Sequence, residues 1–440
     1  MTESPSSSVI STRLEQIARR AKEIWGAPLM TLAHHIDVSW LRDAYRRTRK
    51  DGAAGVDGQN AEQYAEQLES NLELLLDRMK SGRYRAPPVR RVHIPKGDGT
   101  ETRPIGIPTF EDKVAQRAVA MVLSEVYEQE FYDFSYGFRP HRSAHQAMQT
   151  VRNATMRWQG GWIVEVDIKQ FFDSVDHRYL REILHRRIGD GVLLRLIGKW
   201  VNAGVLEGLV LSRPDEGTPQ GGVISPLLAN IFLHEVFDRW FVEMVQPALR
   251  AAAQPMRYAD DIVVVFANEQ DARRFLAVLP KRFGKYGLTL HPDKTKLVRF
   301  ARPRSRDSGR DDDGPESFQL LGFTFHWRRS RRGAWVVGQR TAPSRFTRAL
   351  RRIREWCRWH RHDPLPYQHR ALDRKLLGHY AYYGVTGNSD ALARFWNEVR
   401  EAWKRALATR SQRRLTWRTM LALLRRYPLA APRIVHRYVT

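Results

Sequence analysis

The chain is 440 residues long and carries 73 lysines and arginines against 48 acids, a formal charge of +25. With 42% hydrophobic residues it can bury sizeable cores, which excludes wholesale disorder, and its length suggests two or three domains. A single cysteine, Cys357, excludes an intrachain disulfide and cysteine-rich zinc modules, and no apolar run approaches a membrane span or a Sec signal. The charge exceeds what solubility needs and implies a polyanionic partner, with nucleic acid ahead of an anionic membrane.

Residues 1–8 read as a disordered leader. From 11 to 85 the pattern is helical and charged, with Leu68, Leu72, Leu75 and Met79 at helical spacing. Within it lies a glycine-rich loop, 50–58, that lacks the Lys-Ser/Thr ending of a P-loop. Strands are expected at 92–96 and 103–108 around a Gly97-Asp98-Gly99 turn, then a helix over 111–130. A buried strand follows at 162–168, then an amphipathic helix with Leu180, Ile183, Leu184 and Ile188 on one face, and a further apolar helix at 227–237. Strand and helix alternate to about Phe300, which indicates an α/β or α+β sheet domain. Residues 302–314 read as a mobile loop. Between Arg328 and Arg361 there are twelve arginines and one acid, Glu355, so a domain boundary is placed near 330.

Asp260 and Asp261 interrupt strongly β-forming residues in Met256-Arg257-Tyr258-Ala259-Asp260-Asp261-Ile262-Val263-Val264, so they should sit at the tip of a tight hairpin. Acids at the start of an apolar strand are unfavourable unless solvated or bound to cations, and Mg²⁺ is commonly held by one or two carboxylates plus substrate phosphates. An ordinary Asp-rich turn is the plain alternative. Asp167 ends the buried 163–166 strand, another unfavourable place for an isolated acid. Two such sites can converge on a pair of ions that activate an attacking hydroxyl and stabilise a leaving oxygen. Asp167 as a helix N-cap is the alternative, although Asp173 and Asp176 are better placed for that.

These residues carry a resemblance. Tyr258-Ala259-Asp260-Asp261, Val166-Asp167-Ile168-Lys169-Gln170-Phe171-Phe172-Asp173 and Gly217-Thr218-Pro219-Gln220-Gly221-Gly222-Val223-Ile224-Ser225-Pro226-Leu227-Leu228-Ala229-Asn230 resemble the bacterial group II intron reverse transcriptases, or maturases. Arg103-Pro104-Ile105-Gly106-Ile107-Pro108, Ser135-Tyr136-Gly137-Phe138-Arg139-Pro140, Pro292-Asp293-Lys294-Thr295-Lys296 and Leu320-Leu321-Gly322-Phe323 match in the family's order, over roughly residues 40–440. The resemblance implies an α+β right-hand polymerase fold with a helical thumb. It divides the chain into an N-terminal helical extension and start of the fingers (1–85), fingers and palm (86–330), and a thumb with a maturase-type RNA-binding domain (331–440).

By resemblance, Asp167, Asp260 and Asp261 are the polymerase carboxylates, with Asp167 and Asp260 preferred as direct metal ligands and Ile168 offering its backbone carbonyl. Two Mg²⁺ ions are implied, with Mn²⁺ as a substitute. The reaction is attack of a primer 3′-hydroxyl on the α-phosphate of a dNTP, whose transition-state charge calls for surrounding cations. Lys96 and Arg103 match the finger positions that hold the triphosphate. Gln220 lines the nucleotide pocket, and Phe172, with Phe171 as fallback, stacks under the sugar and excludes a 2′-hydroxyl. Lys294 matches a proton donor to the leaving pyrophosphate, against a solvated surface lysine. Leu321, Gly322 and Phe323 resemble the primer grip.

After Pro343, Phe346, Leu350, Ile353 and Trp356 form one helical face, and Arg345, Arg348, Arg351, Arg352, Arg354 and Arg358 cover the others. A second helix carries Phe395, Val399, Trp403 and Leu407 inward, with 380–385 as the link. Arginine-rich helices interleaved with aromatics suit structured RNA. His141 and His145 lack a third zinc ligand, Cys357 reads as packed or inert, and the paired cysteines of a zinc-containing endonuclease domain are absent from this sequence.

The reading is therefore a cytoplasmic RNA-directed DNA polymerase. Its partners are an RNA template, a DNA or RNA primer, dNTPs, cognate intron RNA and target DNA, with no membrane. The rivals are a splicing cofactor as the primary role, or an intron-free reverse transcriptase recruited to host defence or repair. A retron enzyme is disfavoured, because Val385-Thr386-Gly387 lies in an intron-type Tyr-Tyr-Gly context.

Overall fold

The computed structural model describes residues 5–96, 101–207, 210–212, 221–303, 316–330, 332–410 and 415–438. Its strands are β1 (Val89–Lys96), β2 (Glu101–Ile107), β3 (Trp162–Val166), β4 (Val205–Glu207), β5 (Val210–Ser212), β6 (Ala253–Tyr258), β7 (Asp261–Phe266), β8 (Lys296–Arg299), β9 (Phe318–Leu320), β10 (Phe323–Arg329) and β11 (Trp335–Thr341). They form sheets ordered β2-β1-β4-β5, β6-β7-β3-β8 and β11-β10-β9. The fold is mixed α and β and is dominated by antiparallel hairpins. Two compact units divide the chain, Met1–Ala147 with Val164–Leu297, and Met148–Ile163 with Val298–Thr440. The change in composition near 330 falls between β10 and β11, inside the second unit.

In the first unit, helix Phe110–Tyr127 is buried over most of its surface, the polar Asp112 and Gln116 included, as a central helix should be. Trp40, fully buried on helix Val38–Arg47, donates its indole N–H to the Ala118 carbonyl at 3.0 Å. Helix Leu68–Ser81 buries Leu72, Leu75 and Met79, as their spacing indicates. The first helix starts at Pro5, so residues 5–8 of the expected leader are helical, whereas 1–4 lie outside the described residues. Proline is favoured in a first helical turn, which the Ser-rich composition obscured. Asp176, rather than Asp167, caps the next amphipathic helix, His177–His185, accepting from the Arg178 and Tyr179 N–H groups at 2.7 and 3.3 Å. Ile188 lies beyond that helix and bridges to Leu29. The apolar helix expected over 227–237 is α-helical only over Ser225–Leu233, then widens into π-helical turns over His234–Arg239 and Phe241–Val245.

In the second unit, helices Pro343–Trp359 and Ser389–Ala408 share a core. Leu350, Ile353 and Cys357 come from one, and Phe395, Val399, Trp403 and Leu407 from the other. Residues 380–383 are not a simple link, because they end a separate helix, Leu365–Tyr383. Gly384 stops it where a Cβ would stand 2.3 Å from the Tyr380 carbonyl oxygen. Among the described residues no helix is long and apolar enough to cross a membrane.

Candidate active site

β6 and β7 pair from Ala253 with Phe266 to Tyr258 with Asp261, which leaves Ala259 and Asp260 as a two-residue turn. Ala259 has a φ of 56°, a left-handed conformation that glycine usually supplies at a hairpin tip. The turn is held from behind. Gly137 lies so close that a Cβ there would stand 2.3 Å from the Ala259 nitrogen. Arg257 receives a backbone bond from the Tyr136 N–H at 2.8 Å and donates its own N–H to the Phe134 carbonyl at 2.8 Å. Its guanidinium is fully buried. It grips Asp238 through Nε at 2.8 Å and Nη2 at 2.6 Å, Asn230 at 2.8 Å, and the Ala259 carbonyl within the turn at 3.3 Å. Asn230 in turn donates to the Gly137 carbonyl at 2.6 Å. Arg257, Asn230 and Gly137 lie in or beside the motifs that carry the resemblance, yet neither they nor Asp238 received a role from the sequence. A basic residue inside an apolar strand was the one available signal for this network.

Asp167 stands at the end of β3 and is clasped by the segment around Thr295. Its carbonyl accepts from the His291 N–H at 2.8 Å, and Thr295 Oγ1 is 3.3 Å from both its nitrogen and its oxygen. Ile168 next to it is buried and bridges Leu290. Lys294 Nζ is 3.8 Å from Asp167 Oδ1 with half its side chain exposed, a loose ion pair open to solvent. Burial pushes the Asp260 carboxyl above its ordinary value, and the charge of Asp167 adds to the shift, against Arg103 and Arg257. Asp167 and Arg103 are thus each within electrostatic reach of Asp260. Asp261 is exposed at the start of β7.

Arg103 is exposed on β2, and its charge also acts on Asp173, whose carboxyl burial pushes up. Lys96 faces Glu101 in the β1–β2 register, and its side chain lies outside the described residues, as do Gln220 and the 97–100 turn. Gly221, with φ of 114°, packs against β2, where a Cβ would stand 2.6 Å from the Gly106 oxygen. The buried Gln116 accepts from the Val223 N–H at 2.8 Å and so ties that loop to the central helix. Phe171 is 3% exposed and belongs to the core, whereas Phe172 is half-buried, with ring centroids 5.4 Å apart.

In the second unit Leu321 and Gly322 turn with φ of 49° and 84° between β9 and β10. Tyr382 donates its hydroxyl to the Leu321 carbonyl at 2.8 Å, and Phe323 packs on Tyr382 and Tyr383. Arg345 reaches the same turn, 3.5 Å from where a Gly322 Cβ would be. Arg345, Arg351, Arg352, Arg354 and Arg358 are exposed and Arg348 half-buried, and Arg354 is paired with Glu398 at 2.8 Å.

Among the described residues no three His, Cys, Asp or Glu side chains converge as a metal cage. The donors at hand, carboxylates at two strand ends, are all oxygen and leave coordination positions for water and phosphate. That suits a hard divalent cation.

Carboxylates at strand ends in a mixed α/β unit, with the charge of Arg103 on β2 reaching Asp260, fit a polymerase of the right-hand type. The chain belongs to the reverse transcriptase (RNA-dependent DNA polymerase) family, whose model matches residues 94–325. It is 36% identical to protein YkfC of Escherichia coli, over 59% of this chain and 76% of that protein. It is 37% identical to group II intron-encoded protein LtrA of Lactococcus lactis, over 53% of this chain and 40% of that protein. It is 29% identical to the retron Mx162 reverse transcriptase of Myxococcus xanthus, over 66% of this chain and 62% of that protein. The family is RNA-directed and generally metal-dependent, with nucleic acid and dNTPs as substrates.

Proposed function

We propose that this chain copies RNA into DNA with two Mg²⁺ ions held by Asp167 and Asp260, with Asp261 and the Ile168 carbonyl completing the site. The observation that carries the proposal is geometric: Asp260 sits in the β6–β7 turn and Asp167 follows β3, the strand next to β7 in the same sheet. Divalent ions bound there supply the Lewis acidity for in-line displacement at the α-phosphate. Arg103 and Lys96 neutralise the triphosphate, Gln220 lines the base pocket, and Lys294 gives a proton to the departing pyrophosphate. Leu321, Gly322 and Phe323 hold the primer end. We assign functional divisions at 1–85, 86–330 and 331–440 and propose a cytoplasmic location. Purified protein given an RNA template, an annealed DNA primer, dNTPs and Mg²⁺ should extend the primer, and absence of extension would refute the reading.

Sugar selection should rest on Phe172, the half-buried member of its pair. Phe172→Ala should raise ribonucleotide over deoxyribonucleotide use about ten-fold or more, because the rejection is steric. Relaxed selection in Phe171→Ala alone would reassign the role.

We further propose that the arginines of helix Pro343–Trp359 bind structured group II intron RNA and assist splicing and retromobility. Similarity to an intron-encoded protein supports this reading over a host-defence or repair role. Removing charge at Arg348, Arg351 and Arg352 should flatten the salt dependence of RNA affinity by roughly one counterion per lost phosphate contact. Single-nucleotide addition at saturating primer–template should suffer far less. An unchanged salt slope would move the RNA-binding face elsewhere.

A further inference from the structure

The second unit contains a basic cluster outside the arginine helix. On β10, Thr324, His326 and Arg328 share one face by strand alternation, opposite Arg340, Gly338 and Val336 on β11. Arg152, from helix Ala144–Arg157, donates Nε to the Val337 carbonyl at 3.1 Å and stacks over Tyr438 at 5.1 Å. The cationic groups repel one another. Burial pushes the Arg152 guanidinium below its ordinary value, and Arg328 adds to this against Tyr438. Burial likewise lowers His326, and Arg340 and Arg328 add to the effect against a hydrogen bond from its ring to the Thr324 carbonyl. Among the described residues, none of the three arginines is ion-paired with a carboxylate. Arg328 Nε is buried without a hydrogen-bond partner.

The backbone makes room for this arrangement. A Cβ on Gly338 would stand 2.7 Å from Arg328 Cδ and 3.1 Å from His326 Nε2. A Cβ on Gly387, with φ of 94°, would stand 2.8 Å from Arg328 Nη2. Two glycines therefore admit a guanidinium that no carboxylate among the described residues pairs with. A half-buried like-charge cluster is unfavourable by itself and becomes favourable around an oxyanion, for which guanidinium groups supply matched paired donors.

We propose that Arg152, His326, Arg328 and Arg340 form a phosphate-binding subsite that takes a backbone phosphodiester of a bound nucleic-acid strand. The ligand chemistry is a phosphate oxyanion, and the choice of a strand over free phosphate rests on the polymerase reading above. Arg328 and Arg340 donate to the phosphate oxygens, and Arg152, held on the Val337 carbonyl, adds positive potential.

The test uses the full chain. Arg340 is exposed, so Arg340→Gln should fold, and Arg328→Gln is the stronger variant where circular dichroism shows it folded. Each should lower the log–log salt slope for primer–template binding by about one counterion. The His326 imidazole resonance, assigned with His326→Gln, should move when the oligonucleotide is added to wild type and should move less in Arg340→Gln. An unchanged slope in folded Arg340→Gln, with a stationary His326 signal, overturns the site. A signal that moves with inorganic phosphate at constant ionic strength but not with the oligonucleotide overturns the strand assignment in favour of a free-phosphate site. Asp260→Ala in the same assays separates the two readings. Undiminished extension by that variant would defeat the metal-site assignment and leave the salt-slope result standing.

Discussion

Asp260→Ala, and separately Asp167→Ala, should lower cDNA synthesis by about 10³-fold or more, because loss of a cation ligand removes several kcal/mol of transition-state stabilisation. RNA affinity should stay nearly intact, since phosphate contacts by lysine and arginine dominate it. Asp260→Asn is the sharper variant: it keeps the shape of the turn and removes the charge that burial and Asp167 already disfavour. It should also shift half-saturation to higher Mg²⁺, whereas damage to the fold alone would lower activity at every Mg²⁺ concentration. Primer extension, a Mg²⁺ titration and filter binding on the same preparations check this. Near-normal extension by either alanine variant would dismiss the assignment.

Breaking the pair behind the turn should have the largest effect on stability. Arg257 and Asp238 both have side chains with no solvent exposure, and their closest contact is 2.6 Å. Arg257→Leu leaves a carboxylate buried without its partner and should cost about 3–5 kcal/mol, read from urea or thermal unfolding. Removing both, with Arg257→Met and Asp238→Leu, should recover much of that, since apolar replacement of a buried pair is often close to neutral. The double variant still lacks the contact from Arg257 to the Ala259 carbonyl, 3.3 Å in the native turn. Its extension should therefore stay about ten-fold low even where it is folded, the equivalent of about one hydrogen bond. Full recovery of both stability and extension would make the pair purely structural. Despite burial, which pushes it up, Asp238 is held below the ordinary carboxylate range by the charge and hydrogen bonds of Arg257, with His234 adding to them. Its contribution is thus fully present above that range and is lost as pH falls through its depressed folded value.

The composition, the paired strands around 92–107, the buried strand before Asp167 and the hairpin tip at Asp260 were legible because period and turn chemistry are local properties of a sequence. Phe395, Val399, Trp403 and Leu407 were legible for the same reason, as one helical stripe facing a core. The helix over Leu365–Tyr383 was not. Its start carries prolines, and its tyrosine-rich end looks like a connection until Gly384 is seen packed on Tyr380. The π-helical widening at His234–Arg239 was invisible too, because 3.6-residue periodicity cannot register an inserted turn.

The site divides in the same way. Which acids are suspect follows from the sequence alone, since a carboxylate at the end of an apolar strand is out of place wherever the strand lies. What brings them together depends on contacts between segments distant in the chain, which no local pattern encodes. Gly137 presses against Ala259, Arg257 reaches back to Asp238 and Asn230, and Thr295 closes on Asp167. The choice between Phe171 and Phe172 was equally a tertiary matter. Adjacent identical side chains have identical propensities, and only the packing around them buries one and leaves the other half-open.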